Sequence, residues 1–439
     1  MRAPRVTTAP PSRHVARWAW PAGLVTALGA RYASESLRHR REDGEGYELG
    51  GDGLDVGDRS FLRAAEALTG APISEGNTVE LHVNGDAIFP AITEAIRSAE
   101  RSITMTTYVF WKGRIAGEVA RELSAKARAG VHVCVLLDFV GSAKMDRAVV
   151  QEMRDAGVEV ALFRPPRPYA VRRMNNRTHR KLLVIDGLRG MIGGVGIADE
   201  WTGNGEDPDH WRDTHVTVRG PAVRGLQGAF TENWLEATGC ALIGPDHLPE
   251  LEPIADGGPM QVVRSNAGVG DTNVEALYFL AIACARRTLD LTAAYFAPRP
   301  AFVKALEEAS GRGVRVRVLV PGAHIDKGFV RIAGREAYER LLAAGVLVHE
   351  YAPTMLHAKT MVVDGAWATV GSVNFDNRSF QLQDEATLCV QSAAFAGELT
   401  RQFEDDLTHA DAIEPGRWRD RPLRHRAQEQ AMSLVRREL

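Results

Sequence analysis

Apolar positions along most of the chain alternate between helix-spaced and strand-like runs. Phe89 to Ala99 places its apolar residues at helical spacing, and a strand-like run follows from Arg101 to Phe110. Ile115 to Ala127 repeats the helical pattern and is closed by Gly130 ahead of an apolar strand, Val131 to Leu137. Asp146 to Asp155 reads as a third amphipathic helix. Alternation of this kind predicts an α/β fold, with a mostly parallel mixed sheet and helices on both faces.

The pattern then recurs. Arg101-Ser-Ile-Thr-Met-Thr-Thr-Tyr-Val-Phe110 aligns with Arg287-Thr-Leu-Asp-Leu-Thr-Ala-Ala-Tyr-Phe296. Ala129-Gly-Val-His-Val-Cys-Val-Leu-Leu137 aligns with Arg312-Gly-Val-Arg-Val-Arg-Val-Leu-Val320, and Ala156-Gly-Val-Glu-Val160 with Ala344-Gly-Val-Leu-Val348. A period of about 180 residues is too long for a solenoid and implies two copies of one domain related by a pseudo-twofold axis. The turn-rich stretch from Thr238 to Pro259 lacks periodicity and reads as the connection. The expected organisation is an N-terminal segment 1–60, a first domain 61–245, a linker 246–260, a second domain 261–414 and a C-terminal tail 415–439.

Composition sharpens the picture at the ends. The 439 residues are 45% apolar and 25% charged, with a net charge of −3. That modest value hides arginine-rich termini, Arg2 to Arg41 and Arg417 to Arg437. They suit anionic lipid headgroups or nucleic acid, or plain solvent. Glu42 to Asp58 is acidic and glycine-rich and reads as flexible. Trp18 to Ala30 is short for a bilayer span and contains Pro21, so a surface anchor is expected there, with residues 13–31 anchored, cleaved or unstructured. Cys134, Cys240, Cys284 and Cys389 are far apart without a paired spacing; they read as small core residues, not as zinc ligands or a disulfide framework.

The chemistry lies in an eight-residue pattern that occurs twice: His179-Arg-Lys181-Leu-Leu-Val-Ile-Asp186 and His357-Ala-Lys359-Thr-Met-Val-Val-Asp364. A histidine two residues before a lysine presents both on one face of an extended strand. A neutral imidazole attacks phosphorus without a metal, and the lysine can stabilise charge on a phosphoryl oxygen. After the second copy, Ser372 and Asn374 are short donors suited to further phosphate oxygens. Each histidine needs a partner to fix its tautomer. Asp213 and Glu385, at matching places in a following strand of each half, are the candidates. His210 and His215 lie near Asp213, but lysines at the reacting centre and irregular spacing argue against a metal.

Two HxKxxxxD motifs, the second followed by Gly371-Ser-Val-Asn374, resemble the phospholipase D superfamily. The flanks Gly193-Gly-Val-Gly-Ile-Ala-Asp-Glu-Trp201, Trp211-Arg-Asp-Thr214 and Gly371 to Ser379 are similar to bacterial cardiolipin synthases, especially those without two N-terminal transmembrane helices. The resemblance spans about residues 75–412. It implies a ping-pong phosphatidyl transfer with no cofactor, in which His179 is the nucleophile, His357 the acid and base, and Lys181 and Lys359 the phosphate grip. The motif aspartates Asp186 and Asp364 then act through structure. One departure stands out: Gly194 and Gly196 replace the serine and asparagine in the first half, so phosphate contacts there come from backbone N–H groups or are absent.

The expected partners are a phospholipid substrate and a membrane surface, on the cytoplasmic side of the cell membrane, with the protein peripheral or held by its N-terminus. Hydrolysis to phosphatidic acid and nuclease action are the alternatives. The body of the chain lacks a basic stripe with interleaved aromatics, so no nucleic acid partner is expected. Tyr108, Phe110, Tyr295 and Phe296 read either as pocket lining or as core, and Trp201 and Trp211 as interfacial or packed.

Overall fold

The computed structural model describes residues 47–51, 53–166, 175–267 and 271–433. The first half supplies strands β1 (Ile73–Val83), β2 (Ser102–Thr107), β3 (His132–Asp138), β4 (Glu159–Phe163), the short β5 (Arg177–Thr178), β6 (Leu182–Ile185), β7 (Arg189–Gly193) and β8 (Thr214–Arg219). The second supplies β9 (Gly258–Ser265), β10 (Thr288–Thr292), β11 (Phe296–Ala297), β12 (Arg315–Pro321), β13 (Leu347–Tyr351), β14 (Thr360–Val363), β15 (Trp367–Gly371), β16 (Phe375–Asp376), β17 (Gln383–Gln391) and β18 (Ala410–Ala412).

Most of these strands form one sheet in the order β18-β13-β12-β10-β14-β15-β17-β9-β1-β8-β7-β6-β2-β3-β4. Leaving out the edge strand β18, the order is the same series read inward from both ends, meeting where β9 pairs with β1. The duplication seen in the sequence is therefore a pseudo-twofold sheet, and its seam runs through the middle.

The α/β class holds, but the sheet is less parallel than the helix–strand rhythm suggests. Parallel ladders are confined to the outer strands β2-β3-β4 and β10-β12-β13, plus the short pairing of β5 with β17. The inner strands are antiparallel. Two of these antiparallel pairs, β6-β7 and β14-β15, follow from the Asp-Gly dipeptide that ends each motif, a hairpin signal in its own right. Asp186 and Gly187 have φ of 55° and 68°, and Asp364 and Gly365 have 54° and 62°. Leu188 N–H closes the first turn on the Ile185 carbonyl at 2.9 Å, and Ala366 N–H closes the second on Val363 at 3.1 Å. Each motif strand is thus folded back onto the next.

The motif strands are apolar throughout because both of their faces are covered. Leu183 and Ile185 belong to the core of the first half, whereas Leu182 and Val184 share a core with Val362, Val370, Leu388 and Val390 from the second. The helices Val223–Thr238 and Ala393–Thr408 close that shared core through Leu226, Phe395 and Leu399. Every strand of the seam is held by residues from both halves.

Two segments pack in ways that the local pattern does not encode. Helix Arg59–Thr69 lies outside the first half's core; it packs against helix Asn273–Cys284, and Phe61 and Ala65 join the second half's core together with Val56. Gln391 Nε2 donates to the Val56 carbonyl at 2.7 Å, so the end of the acidic stretch 42–58 is fastened to the second half. The tail is also folded through residue 433. Helices Pro415–Arg419 and Leu423–Ser433 follow β18, Trp418 is buried, and Arg421 bonds Glu429 at 2.9 Å. Residues 239–257 carry neither helix nor strand. The segment 13–31, read above as a possible anchor, lies outside the described residues. Among those described, no helix is long and apolar enough to cross a membrane.

Candidate active site

His179 and Lys181 flank the start of β6, and His357 and Lys359 occupy the equivalent place before β14. The residues that carry them run beside strands of the opposite half. β5 pairs in parallel with β17, and His179 N–H donates to the Asp384 carbonyl at 2.9 Å. In the mirror position, Arg212 bridges Leu356, and His357 N–H donates to the Arg212 carbonyl at 2.7 Å. Alternation along these extended segments turns His and Lys one way and the residue between them the other. Arg180 is accordingly buried against the Ala229, Ser265 and Glu385 carbonyls and against Asn233, which locks the first motif to the second half.

The backbone crossing dictates which carboxylate orients which histidine. His179 Nδ1 donates to Glu385 at 3.0 Å and lies 3.0 Å from the Ser372 carbonyl. His357 Nδ1 donates to Asp213 Oδ2 at 2.8 Å. Asp213 and Glu385, which the sequence placed in matching strands, are both brought to the site, but each serves the histidine of the other half. Protonation at Nδ1 leaves the lone pair on Nε2, the nitrogen available for attack or proton transfer.

All six groups are buried. Burial and the nearby lysines hold both histidines well below the usual imidazole range, so they are neutral near pH 7. Burial pushes Lys181 down to about 7 and Lys359 to about 8, and pushes Glu385 up to about 7. Two buried lysines close enough to act on each other electrostatically suit a bound anion. Lys181 Nζ donates to the His179 carbonyl at 2.9 Å; Lys359 Nζ lies 3.1 and 3.2 Å from the ring nitrogens of His357. Aromatic rings wall the pocket. Tyr108 stands edge-on to His179 at 5.2 Å, and Trp201 and Trp211 stand 5.1 and 5.6 Å from His357. Those tryptophans are packed in the interior, and Phe110 and Phe296 are core residues. Tyr295 faces His357 at 6.4 Å, binds Asp326 through its hydroxyl and carries Lys327 Nζ 4.5 Å from its ring centre.

The remaining motif residues have other partners. The Asp186 carboxylate accepts the N–H groups of Glu100, Arg101 and Ser102 at 3.0, 2.7 and 2.8 Å. Asp364 accepts those of Arg286, Arg287 and Thr288 at 3.0, 2.7 and 2.9 Å. Both aspartates tie their hairpin to the start of β2 or β10, away from the histidines. Ser372 is also engaged: its hydroxyl donates to Glu385. Asn374 is buried, and its Oδ1 has no hydrogen-bond partner in the described structure.

Two functional neighbours escaped the sequence reading. Ser379, set by the π-type turn Arg378–Leu382, donates to Glu385 Oε1 at 2.7 Å. Trp201 Nε1 donates to Asp213 Oδ2 at 2.8 Å. Crowding around Asp213 and Trp201 accounts for the glycines of the first half. A Cβ on Gly194 would lie 2.2 Å from Asp213 Oδ1, and one on Gly196 would lie 2.8 Å from Val109 Cβ and 3.1 Å from the Trp201 ring. The Gly194 N–H itself is spent on the Thr214 carbonyl at 3.1 Å. Where the second half steadies its carboxylate with two serines, the first uses one indole and needs glycines to admit it. The co-occurrence of Gly196 and Trp201 in one loop was the available signal.

Among the described residues, two groups outside the reacting centre could hold a cation: His132, Cys134 and Glu159, and the loop residues Glu206, Asp207 and His210. The His210 ring there is already taken by Asp207 at 2.8 Å.

Residues 92–207 and 278–407 match the family described as cardiolipin synthase, PLD-like domain. The chain is 36% identical over 379 residues to a cardiolipin synthase of Geobacillus kaustophilus, covering 86% of this chain and 75% of that one. The chain belongs to the cardiolipin synthase family. Within it, cardiolipin synthase A of Pseudomonas entomophila is 36% identical over 377 residues, with 85% of this chain and 77% of that one covered. The crystal structure of phosphatidylserine synthase from Haemophilus influenzae shares the fold, with a TM-score of 0.62 at 14% identity over 86% of this chain and all of that one. Both family-matched segments contain one motif, so the family assignment and the duplicated sheet describe the same two halves of one phospholipase D-superfamily enzyme.

Proposed function

We propose that this protein joins phosphatidyl groups to a lipid alcohol, making cardiolipin from phosphatidylglycerol through a phosphohistidine. The observation that carries this is the crossed pairing: His179 on Glu385 and His357 on Asp213. Each half holds the other's histidine, so the two motifs form one centre and divide one reaction.

His179 Nε2 attacks phosphorus, the P–O bond to glycerol breaks, and His357 supplies the proton that glycerol leaves with. Lys181 and Lys359 hold the non-bridging oxygens, with the Nδ2 group of Asn374 as a further donor. The bound phosphodiester offsets the lysine charges that depress His357 and so lets it carry that proton. In the second step His357 takes the proton of an incoming lipid hydroxyl, whose oxygen attacks the phosphohistidine and frees His179. Asp213 and Glu385 keep each Nδ1 protonated throughout.

The substrate is met at a bilayer surface on the cytoplasmic side, with the arginine-rich ends near anionic headgroups and without a nucleic acid partner. Purified protein incubated with phosphatidylglycerol vesicles in EDTA is expected to yield cardiolipin and free glycerol. Phosphatidic acid as the sole lipid product, or cleavage of DNA with no lipid product, would overturn the reading.

A further inference from the structure

The far end of β3 carries a cluster that the transfer reaction does not use. His132 and Cys134 lie two residues apart on one face of β3, and Glu159 on the neighbouring β4 is the register partner of Cys134. His132 Nε2 is 3.4 Å from Cys134 Sγ and 3.1 Å from Glu159 Oε1, and the three ligand atoms all lie within 4.8 Å of one another. With zinc bond lengths of about 2.3 Å to sulfur and about 2.0 Å to nitrogen or oxygen, a tetrahedral site separates S from N by about 3.6 Å and N from O by about 3.3 Å. The two spacings from His132 Nε2 are within a few tenths of an ångström of those values.

The surroundings fit as well. His132 Nδ1 is 3.1 Å from His247 Nε2, the kind of partner that fixes the tautomer of a ligating histidine. His247 comes from the stretch between the halves and is 6% exposed, and its other nitrogen, Nδ1, has no partner in the described structure. Cys240, exposed in the same stretch, is near enough to Cys134 to act on it electrostatically. Burial pushes the Cys134 thiol up, so it is protonated until a cation displaces the proton.

We propose that His132, Cys134 and Glu159 bind a zinc ion, with Cys240 or water in the fourth position. It would pin β3 and the edge strand β4 to the connection between the halves. The reacting centre is at the other end of the strand. Asp138, which accepts the N–H of Thr178 beside His179 at 3.2 Å, lies six residues on, about 20 Å away. The ion is therefore structural, and transfer in EDTA is unaffected by its loss near room temperature.

The test uses full-length protein stripped with chelator and then titrated with cobalt(II) and zinc(II). The expected result is stoichiometric binding, a thiolate-to-cobalt absorption band that zinc abolishes, and a rise in melting temperature of several degrees. Cys134→Ser should lose the band, and the exposed-site variant His132→Gln should weaken binding at least tenfold while folding normally. The Cys389→Ser control should change neither. Absence of stoichiometric binding at micromolar metal, or binding unchanged in both Cys134→Ser and His132→Gln, would overturn the site.

Discussion

His357 and Asp213 come from opposite halves of the duplicated chain, yet His357 Nδ1 donates to Asp213 Oδ2 at 2.8 Å inside a dry pocket. The reciprocal bond, His179 to Glu385, makes the two halves interdependent at the level of single protons. Neither motif has its orienting carboxylate without the other half.

Asp213→Asn and Glu385→Gln should therefore each cripple the reaction while leaving the sheet intact. An amide can accept from Nδ1 or offer it a donor, and the second choice selects the wrong tautomer. We expect kcat to fall by about 10³-fold or more, with KM changed far less. Steady-state kinetics on vesicles, with circular dichroism as the folding control, checks this. A kcat within threefold of the parent would show that the carboxylates do not set the tautomer.

Trp201→Phe keeps the packing but removes the Nε1 donor to Asp213. The lost hydrogen bond should lower kcat about tenfold and cost about 1.5–3 kcal/mol of stability. Gly194→Ser should do the reverse of what motif symmetry suggests. Its Cβ would meet Asp213 Oδ1 at 2.2 Å, so restoring the serine should destabilise the fold by about 1–3 kcal/mol in urea unfolding. Activity gained by Gly194→Ser would contradict the indole-for-serine account.

The motif aspartates should separate from the catalytic residues by the same pair of measurements. Asp186→Ala strips the acceptor from three backbone N–H groups and should cost about 3 kcal/mol or more. The folded fraction should keep its kcat. Asp186→Asn, which tolerates the positive φ of 55°, should be milder. A full loss of kcat in well-folded Asp186→Asn would place the carboxylate in the chemistry after all.

The pH profile follows from the signs of the shifts. Glu385 is raised to about 7, so its charged, orienting form is lost as pH falls below that value. Lys181 and Lys359 are lowered to about 7 and 8, so the phosphate-gripping cations are lost as pH rises. The free-enzyme profile, kcat/KM, should be a narrow bell centred near neutrality. A bound phosphodiester raises the lysines, so the alkaline limb of kcat should lie at higher pH than that of kcat/KM. Coincident alkaline limbs would argue against a lysine grip.

Much of this was legible before any coordinates. The duplication, both His-Lys pairs and the acid-for-acid match of Asp213 with Glu385 all come from aligning the chain with itself. What alignment within a half cannot show is that β5 pairs with β17 and Arg212 with Leu356, and it is that crossing which exchanges the carboxylates. The antiparallel pairs β6-β7 and β14-β15 were readable from Asp186-Gly187 and Asp364-Gly365, but the helix–strand rhythm outweighed them. The bond from Ser372 to Glu385 was not legible, because a hydroxyl's partner depends on the strand it faces. Helix Arg59–Thr69 precedes the first half in sequence and packs on the second, a placement that local periodicity does not encode.

The central claim is that two histidines share one centre with divided roles, His179 forming the covalent bond and His357 moving the proton. The most direct measurement is a rapid acid- or detergent-quench of enzyme with labelled phosphatidylglycerol, followed by peptide mass spectrometry under alkaline conditions that preserve phosphohistidine. The account predicts a phosphatidyl adduct on His179 in the parent, an adduct on His179 that forms slowly and decays slowly in His357→Asn, where the departing glycerol is not protonated and the incoming alcohol is not activated, and no adduct in His179→Asn. An adduct mapped to His357, or cardiolipin formation that continues at the parental rate in His179→Asn, would contradict it.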